Sequence, residues 1–113
     1  MKLLRNSILL FFLTISVYSG AQVQHEMKCT MTEREIMQSQ SFSEDAPESE
    51  FALPVVKILL FEFEEFYSNL NNGDSQAASE NKDRIIEAIQ NANTLHLNYS
   101  MFEDDIEFLQ QFN

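Results

Sequence analysis

LPVVKILLFEFEEFYSNL, residues 53–70, is the stretch around which any core of this chain has to form. Val56, Leu59, Leu60, Phe63, Phe66, Tyr67 and Leu70 recur at spacings of three and four, which stacks them on one helix face. Such a helix is about 27 Å long at the usual rise per residue. Glu62, Glu64, Glu65 and Ser68 fall away from the stripe, where solvated side chains belong. Tyr67 can bury its ring and leave its hydroxyl at the wet edge. Ile58 and Phe61 lie outside the stripe and widen the apolar arc, so the helix is expected to meet neighbours on more than one side.

The start of this helix is ambiguous. Residues 41–50, SFSEDAPESE, read as an acidic linker. Ser49 is a good N-cap, but it would place Pro54 inside the helix, where the ring clashes with an earlier carbonyl. With Pro54 as the first helical residue the cap would fall on Leu53, a poor capper. An irregular turn over 50–53 is the expectation.

Downstream, Asn71-Asn72-Gly73-Asp74 is a stop and a restart: Gly73 suits a left-handed cap, and Asp74 or Ser75 can cap the next helix. That helix, 75–92, places Ala78, Ile85, Ile86, Ile89 and Ala92 on one face, with Glu80 and Arg84 as an i,i+4 pair. A short loop between two amphipathic helices implies an antiparallel hairpin. At the C-terminus, Ser100 and Glu103 form a capping-box pattern opening a helix over 101–111, with Phe102, Ile106, Leu109 and Phe112 on its apolar face. Glu103, Asp104 and Asp105 sit near its start, where the helix dipole favours them.

Two stretches alternate with period two, the mark of a strand. Val23, His25, Met27, Cys29 and Met31 share one side of the first; Leu95, Leu97, Tyr99 and Met101 share one side of the second. They allow a two-stranded β-ribbon pairing 23–31 with 94–100, which needs helices behind it to be stable. An extended connector is the alternative for the second stretch. Between the first and the linker, Thr32-Glu33-Arg34-Glu35 is a capping box opening a short helix over 33–40. The fold class expected is mainly α: a small bundle built on an antiparallel hairpin (53–70 and 75–92) plus a C-terminal helix (101–111), with the ribbon as an optional addition.

The N-terminus reads as a secretory signal peptide. Lys2 and Arg5 precede the apolar run 8–17, and Ser19-Gly20-Ala21 supplies small residues for cleavage before Gln22. The run is shorter than the ~20 apolar residues that span a bilayer. The organisation expected is therefore a signal peptide over 1–21, an N-terminal arm with a short helix and acidic linker over 22–50, and a helical domain over 51–113. Cleavage removes Lys2 and Arg5 and no acid, leaving 92 residues with 5 basic and 18 acidic side chains, a net charge of −13. Such a chain repels nucleic acid and anionic lipid and favours a basic partner. Eight of the ten phenylalanines remain and there is no tryptophan, so phenylalanine is expected to fill much of the core.

Catalytic signatures are absent from the sequence. The chain holds one cysteine and two histidines; Cys29 and His96 could be drawn as a nucleophile and base, but no local motif supports the pair. Asn71–Ser75 fails as a calcium loop, since with Gly73 at the sixth position the first, third and twelfth ligands would be Ser68, Leu70 and Ser79. Residues 103–105 could bind a divalent ion weakly. His25, Met27, Cys29 and Met31 are the candidate metal ligands, a soft set suited to Cu(I), although alternate residues about 6.6–6.8 Å apart cannot close a four-ligand site without bending. Asn98-Tyr99-Ser100 is a glycosylation sequon in a eukaryotic source.

A short exported helical chain with a cysteine near its mature N-terminus resembles the secretoglobins in outline. That family pairs cysteines at both ends of the chain, and Cys29 stands alone here, so no function follows. In an oxidising compartment Cys29 is expected to be either the seam of a homodimer or a buried thiol. The function expected is that of a secreted or periplasmic acidic protein without enzymatic activity or cofactor. It would bind another protein, with no nucleic acid partner and no stable membrane insertion after cleavage. A carrier of a small apolar ligand or soft metal ion is the alternative.

Overall fold

The computed structural model describes residues 24–42 and 46–112; the expected signal peptide, the cleavage site and Val23 lie outside them. The described chain is mainly helical: α1 (Glu33–Gln38), α2 (Pro47–Asn71), α3 (Ser75–Thr94), a 3-10 turn (Ser100–Phe102) and α4 (Glu103–Gln111). α1 opens on the capping box read from the sequence. Thr32 Oγ1 accepts from the Glu35 amide at 3.2 Å, and the Glu35 carboxylate accepts from the Thr32 amide at 3.0 Å. That amide, and then the Thr32 hydroxyl, hold the Glu35 carboxyl below its usual range.

α2 begins six residues before the expected start and runs across the 50/51 junction drawn between arm and domain. Pro47 takes the first helical position, where its missing N–H is one of those left unpaired in any helix. Pro54 sits inside the helix, so no irregular turn forms at 50–53. Glu50 and Pro54 are both exposed, so the proline falls on the outer side of the helix. The added turns bury Ala52, next to Val55 and Val56 of the expected span.

α2 and α3 pack along one another and are joined by Asn72, Gly73 and Asp74. The junction is a Schellman turn: Asp74 N–H donates to the Asn69 carbonyl at 2.9 Å and Gly73 N–H to Leu70 at 3.1 Å, with Gly73 at φ +77°. Asp74 caps α3 by accepting from the Ala77 amide. α3 ends in a second turn of the same kind. Leu97 N–H donates to Ala92 at 2.9 Å and His96 N–H to Asn93 at 3.1 Å, with His96 itself left-handed at φ 57°.

That second turn is why no ribbon forms. α3 runs on through Thr94 and the chain reverses at His96, so the alternation over 94–100 is not strand. The described residues form no strand, and the expected pairing of 23–31 with 94–100 is replaced by contacts with side chains. Residues 24–31 are neither helix nor strand and bend at Lys28, yet their burial alternates: His25, Met27, Cys29 and Met31 are half-buried, their neighbours exposed. α4 starts at Glu103 rather than at 101, and its cap, Phe102, offers no side-chain bond; the Ser100–Glu103 box is not made.

The core gathers Ile36, Val56, Leu59, Phe63, Phe66, Ile85, Phe102 and Leu109. Phe63 stacks on Phe102 at 5.5 Å, and Phe66 meets Phe112 edge-on at 5.3 Å. Tyr67 stacks on Phe108 at 5.4 Å. Aromatic pairs thus join α2 to the C-terminal segment 102–112, each adding about 0.5–1.5 kcal/mol beyond its buried area.

Candidate interaction surface

Three polar side chains fasten the non-helical segments to the rest of the fold. Asp105, in the first turn of α4, is fully buried. Its Oδ1 accepts from the Lys28 amide and the Tyr67 hydroxyl, both at 2.7 Å, and its Oδ2 from the Cys29 amide at 2.9 Å. A buried carboxylate is tolerable where donors and a helix N-terminus surround it, as here. Tyr67 is accordingly not at a wet edge: burial first, then its bond to Asp105, pushes the phenol far above its ordinary range.

The other two fastenings are amides acting as substitute strands. Asn71 Oδ1 accepts from the His25 amide at 2.8 Å while Asn71 Nδ2 donates to the His25 carbonyl at 2.9 Å. Gln40 does the same for Asn98, with Oε1 accepting from its amide and Nε2 donating to its carbonyl, both at 2.8 Å. A planar amide presents one acceptor and one donor side by side, as a neighbouring strand residue does.

The candidate metal ligands lie along the fastened arm. Met27, Cys29 and Met31 pack against the core, and the His25 ring sits 5.0 Å from Phe108. No three His, Cys, Asp or Glu side chains converge on a metal-sized site among the described residues. The Cys29 thiol is raised above its usual pKa, first by burial and further by the negative charges of Asp105 and Glu35, against a bond from the Met31 backbone that lowers it. His96 is exposed in its turn. Of the acids at 103–105, Glu103 and Asp104 are exposed while Asp105 points inward.

Glu62, expected in solvent, is buried between α2 and α3. Its Oε1 accepts from Asn81 Nδ2 at 2.9 Å and from Arg84 Nε at 2.8 Å, and Asn69 donates to Asn81 at 2.7 Å. Arg84 therefore pairs with Glu62 rather than with Glu80, and the bond to Glu62 raises its pKa. Ile86, placed by periodicity on the buried face, is 40% exposed.

The outer face of α2 carries the unexpected surface. Phe51 is 64% exposed, Phe61 59% and Ile58 43%. With Pro54, also exposed, they repeat at spacings of three and four over about 15 Å of helix. The wider apolar arc was legible in Ile58 and Phe61, but the expected second neighbour is not met among the described residues, and both side chains stand exposed. Phe51 was missed because it precedes the expected helix start. Exposed Glu50 and Glu64, half-buried Glu65 and exposed Lys57 flank the stripe.

Grooves also indent the surface of the described residues. One of about 430 Å³ is lined by Leu97, Tyr99, Glu103 and Ile106; another of about 340 Å³ lies between α3 and α4, against Ile86, Ile89, Ile106 and Leu109. No helix among the described residues is long and apolar enough to cross a membrane. No family model, curated protein or solved structure matches this chain.

Proposed function

We propose that this is an exported, non-enzymatic protein that acts by binding another, more basic protein. The observation that carries the reading is the exposed row of Phe51, Ile58 and Phe61 on a chain whose net charge is −11. Isolated apolar side chains on a surface are ordinary, whereas large ones aligned on one helix face and rimmed by charge are what interfaces use. In this reading α2 and α3 form an antiparallel hairpin that, with α4, makes a small bundle presenting the outer face of α2. Cys29, half-buried with a raised pKa, serves as a packed thiol and not as a covalent seam.

The test is capture by the immobilised protein from its native extracellular or periplasmic fluid. The expected result is a basic protein retained at low ionic strength and released as salt rises, because exposed charges are screened within about a Debye length. Capture of nothing but acidic or neutral material, or of a partner indifferent to salt, would contradict it.

A further inference from the structure

We infer that the outer face of α2 binds a cationic amphipathic helix, one with apolar residues at heptad spacing and lysine or arginine beside them. The inference rests on the protein-binding reading and specifies the surface and the chemistry of the partner.

Phe51, Pro54, Ile58 and Phe61 alternate spacings of three and four, the pattern that meets a second helix along a seam. The two phenylalanines are the most exposed of the large apolar side chains described, and they stand one at each end of the stripe. Both rings can therefore insert between side chains of an incoming helix. The stripe is followed on the same face by half-buried Glu65. Glu50 and Glu64 lie along its edge with one base, Lys57.

That balance decides the occupant. A second copy would bring three acids and one base from each protomer to the same seam, between two chains that are each strongly acidic. Like charges juxtaposed at an interface oppose association. A helix flanked by lysine or arginine pairs with Glu50, Glu64 and Glu65 while its apolar residues cover the phenylalanines. Nucleic acid and anionic membranes are repelled by the same charges.

The probe is a labelled two-heptad peptide with leucine at the apolar positions and lysine at the others. A scrambled peptide of the same composition and a leucine–glutamate version are the controls. The protein is compared with Phe51→Ser/Phe61→Ser, whose changes are at exposed positions and whose fold is verified by its unfolding midpoint. Expected are binding of the leucine–lysine helix alone, amide shifts clustered over 51–65, and affinity at least about tenfold weaker in the variant, as loss of interface aromatics usually gives. Equal binding by the variant, or by the scrambled peptide, would overturn the inference, as would a homodimer that the variant abolishes. If the native partner is captured equally by the variant, this face is wrong while the protein-binding reading stands. If no basic partner is captured although the peptide binds the face as described, the broader reading fails and the chemistry of the face stands.

Discussion

The Tyr67 hydroxyl donates to Asp105 Oδ1 at 2.7 Å inside the protein, across 38 positions of sequence. Two backbone amides of the N-terminal arm share the same carboxylate, from Lys28 and Cys29. One side chain thereby ties the arm, the central helix and the C-terminal helix together. An arm held this way is part of the folded body.

Asp105→Asn should destabilise the protein. The amide keeps one oxygen for two of the donors and turns an N–H₂ group toward the third, so a buried donor faces a donor. An unsatisfied buried polar group costs about 1–3 kcal/mol. Urea unfolding should show a lower midpoint at unchanged slope. A midpoint equal to wild type would mean the carboxylate is not where the arm is held.

Cys29 should be a slow thiol. Burial favours its protonated form in the folded state, so the unfolded chain ionises first as pH rises. The thiol's contribution to stability is complete below the ordinary thiol pKa of about 8.5 and is lost as pH climbs from there toward the folded value. Iodoacetamide labelling near neutral pH should be much slower in the native protein than in urea. Rapid native labelling would contradict the packing of the arm.

His96→Gly should stabilise the turn after α3. A left-handed L-residue costs about 1–2 kcal/mol, partly offset by the greater chain entropy that glycine loses on folding. The net gain expected is about 0.5–1 kcal/mol, a rise in melting temperature of roughly 2–6 °C for a domain of this size. His96→Ala should give no such gain, and a fall in the glycine variant would argue against the left-handed turn.

Glu62→Leu should cost about 1–3 kcal/mol, because Asn81 is left with a buried N–H₂ lacking its acceptor. Adding Asn81→Leu should recover part of the loss, since it removes the orphaned N–H₂ group while taking the acceptor from half-buried Asn69. A double-mutant cycle on unfolding free energies measures the coupling, and strict additivity would refute it.

Much of the fold was legible because its signals are local. The stripe from Val56 to Tyr67, the Thr32 box and the Gly73 turn each depend on residues a few positions apart. What was misread depends on partners distant in sequence. The alternation over 25–31, read as a strand, marks which side chains turn inward and not a strand, and period two does not say what holds the segment; Asn71 and Asp105 do, 46 and 76–77 positions away. Asp105 was read only as a helix-start acid, which it is, with no sign of its burial, and Glu62 as surface, because a carboxylate buried by its donors looks the same in sequence as an exposed one. The α2 face was half visible, since Ile58 and Phe61 stood out but Phe51 lay beyond a proline taken as a helix boundary.

The most direct measurement is hydrogen exchange at the Lys28 and Cys29 amides in the wild-type protein and in Asp105→Asn. If Asp105 holds the arm, both amides are protected in the wild type despite lying outside any helix or sheet. In the variant their exchange accelerates strongly while helical amides of α2 around Phe63 stay slow. Free exchange at both amides in the wild type, or protection unchanged by the substitution, would contradict it.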